Sequence, residues 1–132
     1  MSDHSALVAL AAHKYVRLTT YRKDGTPVPT PVWLVRDGEH LAVITGSGTG
    51  KVKRIRHTPA VRVAPSDGRG NVPSGASDVD AQAEVVTDPA EVSRIHGLVR
   101  SRYGLAYRVI TLVHRLRGAS TDDRVALRLT PA

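Results

Sequence analysis

The stretch HLAVITGSGTGKVKRIRHT, residues 40–58, decides how the rest of the chain is read. Its apolar run, Leu41 to Thr45, has the length and β-branched content of a strand. The run enters Gly46, Gly48 and Gly50, and the loop opens onto a short basic segment, Lys51 to His57, that stops before Thr58-Pro59. A strand that leaves its sheet through glycines into a helix start leaves several backbone N–H groups unpaired and aimed one way. Those donors, the positive end of the helix dipole and nearby cations together suit an anion. Ser47 and Thr49 add hydroxyls; Lys51, Lys53 and Arg54 add charge. The pattern reads as a phosphate cradle, and the competing reading is a plain turn before a solvated basic helix. A cation at Lys51 is disfavoured at the positive end of a helix dipole, which itself argues for a bound anion.

Two familiar phosphate loops are absent. A Walker A loop has four residues between its glycines, then Gly-Lys-Ser/Thr. Here Gly46 and Gly50 have three between them, and Val52 stands where the hydroxyl would be. A dinucleotide-binding fingerprint needs a third glycine where this chain has Lys51.

Upstream, Ser5 to Ala12 reads as a short helix capped by Ser5. Lys14 to Tyr21 alternates, with Tyr15, Arg17, Thr19 and Tyr21 on one side and Val16, Leu18 and Thr20 on the other. Lys23-Asp24-Gly25 is a hairpin turn. The next strand, Val28 to Arg36, carries Pro29 and Pro31, so it is an edge or faces an opening. Trp33, the only tryptophan, is at its centre, and Asp37-Gly38 turns back. Downstream, Ala60 to Pro65 is a strand and Ser66 to Gly75 a loop. Ser77 to Thr87 alternates, Val79, Ala81, Ala83 and Val85 against Asp78, Asp80, Gln82 and Glu84. Asp88-Pro89-Ala90-Glu91 predicts a helix start with a capping box, followed by the stripe Val92, Ile95, Val99 and Tyr103. Gly104 interrupts it. A second helical pattern runs through Leu105, Val109, Leu112, Val113 and Leu116, and Arg124 to Leu129 closes the chain as a strand.

Strands in runs, without βαβ alternation, predict a mainly β fold with flanking helices: about six antiparallel strands closing or nearly closing into a barrel. At 132 residues one domain over 1–132 is expected. With four Tyr, one Trp and no Phe, the core must be built from Val, Leu, Ile and Ala. No cysteine excludes disulfides and thiolate chemistry. The start lacks the pattern of a signal peptide, and no apolar run approaches the roughly 20 residues of a membrane span. A cytoplasmic protein is the expectation. The net charge of +7 calls for an acidic partner: nucleic acid, acidic lipid or an anionic cofactor. Nucleic acid is disfavoured, because the interleaved surface aromatics of a strand-face reader are missing.

KYVRLTTYRKDGTPVPTPVWLV, TGSGTGKVKRIRHTPAVRVAP and DGRG resemble the flavin and deazaflavin split β-barrel reductases, cousins of the pyridoxamine-phosphate-oxidase-like proteins. Within that group the chain is most similar to the actinobacterial branch that uses coenzyme F420. The resemblance runs from about His13 to Leu129, and the tail from Tyr103 through Arg117 also fits that branch. It implies an antiparallel split barrel, a homodimer with cofactor sites between subunits, and a small-molecule substrate, with neither nucleic acid nor membrane as partner. Carried over, Thr49, Gly50 and Lys51 would bind the cofactor phosphate, flanked by Lys53 and Arg54. Thr45, Gly46 and Ser47 would line the approach, and Pro31, Val32 and Trp33 would run beside the ring. The implied chemistry is hydride transfer between reduced deazaflavin and an unsaturated or quinone-like molecule. An F420-binding protein without turnover and an FMN-dependent reductase are the alternatives. The basic excess suits a phosphate with an acidic polyglutamate tail, which favours F420 over FMN.

The remaining candidates read as structural. Arg62 is expected in an ion pair or solvated rather than as a ligand, the six histidines show no metal-ligand spacing, and Asp122-Asp123 reads as an exposed turn. The arginines from Arg94 to Arg117 read as a solvated face, the alternative being a site for the acidic tail of a partner subunit's cofactor, and Tyr103 and Tyr107 read as packing residues.

Overall fold

The computed structural model describes residues 3–46, 48–116 and 124–132. Ser47 and Asp122-Asp123 lie outside the described residues. Helix α1 (Asp3–Ala9) and a 3-10 turn (Leu10–Ala12) precede strands β1 (Tyr15–Tyr21), β2 (Pro27–Trp33), β3 (Val35–Asp37) and β4 (His40–Gly46). Helix α2 (Gly50–His57) follows, then β5 (Ala60–Ser66), β6 (Val79–Val86), helix α3 (Pro89–Leu116) and β7 (Arg124–Pro131).

All pairings are antiparallel, in one seven-stranded sheet of order β2-β1-β5-β6-β7-β4-β3. The expected six strands become seven because Val28–Arg36 is not continuous: it breaks at Leu34. That break explains the barrel. β2 and β3 are the two edges of the sheet, yet one residue joins them. The sheet must therefore curl until its edges meet, leaving an unpaired seam at Leu34. Backbone groups buried at a seam need partners. Tyr103 supplies them: its hydroxyl accepts from Leu34 N–H (3.1 Å) and lies 2.6 Å from Leu34 O and 2.9 Å from Lys14 O, to either of which it can donate.

Two apolar layers sandwich part of the sheet. Inside the barrel, Val16, Leu18, Leu41, Val43, Val61, Val63, Leu127 and Leu129 pack with Leu7 of α1 and with Val52 and Ile55 of α2. Outside, Val35, Ala42, Val86 and Ala126 pack with Ile95, Val99 and Tyr103 of α3. β4 is buried on both faces, which is why its sequence is an apolar run while the half-exposed β6 alternates. β2 is an edge strand, as Pro29 and Pro31 require. Its prolines at 27, 29 and 31 alternate with the positions that must bond to β1, so the free edge lacks those N–H donors and resists strand addition.

Gly104, whose backbone is non-helical (φ 49°, ψ −116°), divides α3 into the two helical segments predicted after Asp88. The capping box is half formed. Asp88 Oδ2 accepts from Glu91 N–H (3.2 Å), but the Glu91 carboxylate turns to Arg94 (2.7 Å) and Arg128 (3.1 Å).

Candidate anion-binding site

The loop from β4 to α2 forms the cradle's floor. Thr49, the residue before α2, has extended backbone (φ −72°, ψ 156°) and gives no side-chain bond to the helix. Its hydroxyl instead donates to Gly46 O (2.9 Å), 3.4 Å from Thr45 Oγ1. The first-turn N–H groups of α2 are thus left uncapped by their usual side chain, while the loop itself is braced.

Arg54 folds back over this helix start. Its Nε donates to Thr20 Oγ1 (2.6 Å), and its guanidinium lies where a side chain at position 50 would begin: a Cβ on Gly50 would sit 2.6 Å from Nη1. Only glycine leaves that space to the guanidinium. Lys51 is half-buried beside it. Burial, then the Arg54 charge, pushes the Lys51 ammonium below the usual lysine range. No carboxylate pairs with Lys51, Lys53 or Arg54 among the described residues. Two cations pressed together at the positive end of a helix are unfavourable alone and suit an anion. Lys53 is exposed on the outer side of α2, further from this convergence.

Thr45, Gly46, Thr49, Gly50, Lys51 and Arg54 are therefore brought together, whereas Pro31, Val32 and Trp33 stand apart from them. Val32 points into the barrel core. Pro31 is on the opposite face, against Gly70 of the loop after β5. That loop is tied by Asp67, whose carboxylate accepts from Arg69 N–H (2.8 Å) and Asn71 N–H (3.0 Å). Trp33 stacks on Tyr103 (centroids 4.4 Å, planes 10° apart), with Tyr15 edge-on at 6.3 Å.

A cavity of about 340 Å³ opens on the outer face of β1 and β2, lined by Arg17, Thr19, Tyr21, Pro27, Pro29, Arg62 and Asp78. Arg17 and Arg62 are held by Asp78 (3.3 Å) and Asp80 (3.1 Å), yet Arg17 Nε is buried without an acceptor. Sequence reasoning passed over Arg17 and left Arg62 either ion-paired or solvated; the structure pairs it with Asp80. The signal for the cavity was the register that sets Thr19 between Pro29 and Arg62. Among the described residues no cluster of His, Asp and Glu could hold a metal ion.

A curled, all-antiparallel sheet of seven strands with flanking helices defines the split-barrel class. The family model described as pyridoxamine 5'-phosphate oxidase matches residues 3–132, and the chain belongs to that family. No curated protein sequence matches it. Among solved structures, a conserved hypothetical protein from Mycobacterium tuberculosis has TM-score 0.71 at 20% identity, covering 99% of this chain and 81% of that one. A protein described as F420 reductase has TM-score 0.62 at 24% identity, covering 94% and 91%. The heme storage protein HutZ from Vibrio cholerae has TM-score 0.68 at 16% identity, covering 100% and 92%. These likenesses share the fold. Two of them are described by different ligands, F420 and heme.

Proposed function

We propose that the chain is an F420-dependent oxidoreductase, working as a homodimer on a small unsaturated or quinone-like molecule. The observation that carries this reading is the pair Lys51 and Arg54, unopposed by any described carboxylate at the uncapped start of α2. The residues fit the anionic end of such a cofactor. The first-turn N–H groups, Lys51 and Arg54 would hold the phosphate, and Lys53 and Arg56 would extend the positive field along an acidic tail. The fold alone does not choose among flavins. The density of positive charge on α2, four basic side chains from Lys51 to Arg56, favours F420 over FMN.

The other end of the cofactor would lie along β2. From Val28, opposite Thr20, to Pro31 the strand rises about 10 Å, a span suited to the chain between a phosphate and a flat ring. Pro29 and Pro31 offer rigid apolar surface there without competing N–H donors. When bound, the deazaflavin supplies a hydride. The protein's part is to anchor the anion, orient the ring against β2 and exclude water.

The test is a titration of the purified chain with F420, FMN and FAD, followed by oxidation of reduced F420 on adding enones or quinones. F420 is expected to bind tightest. Lys51→Ala should weaken it by about 1.5–3 kcal/mol, the worth of a charged hydrogen bond, without lowering the stability of the free protein, because it removes a desolvated, repelled cation. Unchanged affinity in that variant would overturn the cradle. Tight binding with no oxidation across the panel would overturn the enzyme and leave a carrier.

A further inference from the structure

We propose that the part of α3 beyond Gly104 docks the protein onto an anionic lipid surface. Before the kink, α3 buries Ile95, Val99 and Tyr103 against the sheet. After it, Leu105, Val109 and Leu112 are 76%, 52% and 57% exposed. Their spacing of four and then three residues puts them on one helix face. They are the exposed large hydrophobic residues among the described part of the chain, gathered on one short segment.

The charge beside the stripe selects the occupant. From Val92 to Thr121 the sequence has six Arg and neither Asp nor Glu. Arg94 is committed to Asp37 and Glu91, and Arg102 to the carbonyls of Ala11 and His13. Arg108 is exposed, three residues from Leu105 and four from Leu112, so it borders the stripe. Arg115 has the same sequence spacing from Leu112. A second copy is a poor cover, because two such acid-free helices lying face to face would set arginine against arginine. Five of the twelve acidic side chains, Asp37, Asp78, Asp80, Glu84 and Glu91, already face arginines of their own chain, and Asp24 and Asp67 are bonded within their own turns. A bilayer rich in anionic lipid accepts both the apolar stripe and its basic flank.

The segment from Leu105 to Leu116 is about 18 Å long, and no described helix is long and apolar enough to cross a membrane. It would therefore lie in the plane of the interface. This revises the expectation that a membrane is not a partner, and it stands whether or not a cofactor binds.

The test is co-sedimentation of the full chain with vesicles of phosphatidylcholine alone and of equal parts phosphatidylcholine and phosphatidylglycerol, alongside its mass by analytical ultracentrifugation. Binding is expected only with phosphatidylglycerol, released by high salt. It should fall about tenfold or more in a triple Leu105→Ser, Val109→Ser, Leu112→Ser variant and also fall in Arg108→Glu, with the mass of each unchanged. Absence of binding to the mixed vesicles, or binding indifferent to lipid charge, overturns the proposal. So does a change of mass in the triple variant, which would assign the stripe to a contact between copies.

Discussion

Replacing Tyr103 by Phe isolates the device that closes the barrel. The ring is 8% exposed and stacked on Trp33 at 4.4 Å, and Phe keeps both features. Only the hydroxyl goes, and with it the partner of Leu34 N–H and a donor for Leu34 O and Lys14 O. Leu34 is fully buried, so water cannot readily replace that oxygen. A buried donor left unpaired costs about 1–3 kcal/mol; about 2 kcal/mol is the expected loss, lowering Tm by about 6–10 °C for a chain of this size. Tyr103→Ala also empties a ring-sized space and should lose about 3–5 kcal/mol. Urea unfolding followed by far-ultraviolet circular dichroism measures both, and the emission of Trp33 reports the neighbourhood directly. A second readout comes from pH. Burial raises the Tyr103 pKa above the ordinary tyrosine value of 10.0. The unfolded chain therefore ionises first, and the stability that Tyr103 contributes, full below pH 10, falls as pH rises through the folded value. The Phe variant should lack that component of the alkaline loss. A loss under about 0.5 kcal/mol, a fraction of a typical hydrogen bond, with an unchanged alkaline slope would refute the account of the seam.

Gly50→Ala tests the cradle without disturbing the core. The Cβ would meet only the mobile end of Arg54, so stability should move by less than about 0.5 kcal/mol while F420 affinity, read by titration, falls as the guanidinium is displaced. Asp37→Asn tests the tie between β3 and α3. Its hydrogen bonds to Arg94 (2.7 and 2.8 Å) hold the Asp37 carboxyl below the usual carboxylate range. A carboxyl with a lowered folded pKa contributes stability above its unfolded value and loses it as pH falls through the folded one. Thermal melts from pH 6 downward should show a shallower acid loss in the Asn variant than in the parent; parallel curves would mean the pair is inert.

What the sequence made legible was local. Period-two alternation located β1 and β6, and Asp24-Gly25 and Asp37-Gly38 marked turns whose glycines take φ of 88° and 62°. Gly104 announced the kink. The break at Leu34 was hidden because a leucine between Trp33 and Val35 looks like any strand residue; the partner that replaces the ladder there is a tyrosine 69 positions away. Glu91 failed as a capping partner for the same reason, since Arg128 and Arg94 offer it charge that local pattern does not register. At the cradle, the glycines and cations were legible, but not the turning of Thr49 toward Gly46 or the return of Arg54 over Gly50. The return of Arg54 depends on where β1 brings Thr20.

What sets α2 apart is where its cations are held. A chain of net charge +7 has many basic side chains, and basicity alone would not mark a site. Four arginines outside α2 are answered by carboxylates: Arg17 by Asp78, Arg62 by Asp80, Arg94 by Asp37 and Glu91, Arg128 by Glu84 and Glu91. On α2 none of the four cations has a described carboxylate partner. Arg56, in the last turn, is at least at the favourable end of the dipole, whereas the Arg54 guanidinium is folded back over the start. Lys51 is at the wrong end, half-buried, with a guanidinium folded toward it. A solvated basic helix would let Lys51 swing into water and Arg54 reach along its own axis. Instead Thr20 holds Arg54 in place and Gly50 makes room for it, so the repulsion is built in. An anion bound at the start of α2 would reverse the sign of each of these interactions at once.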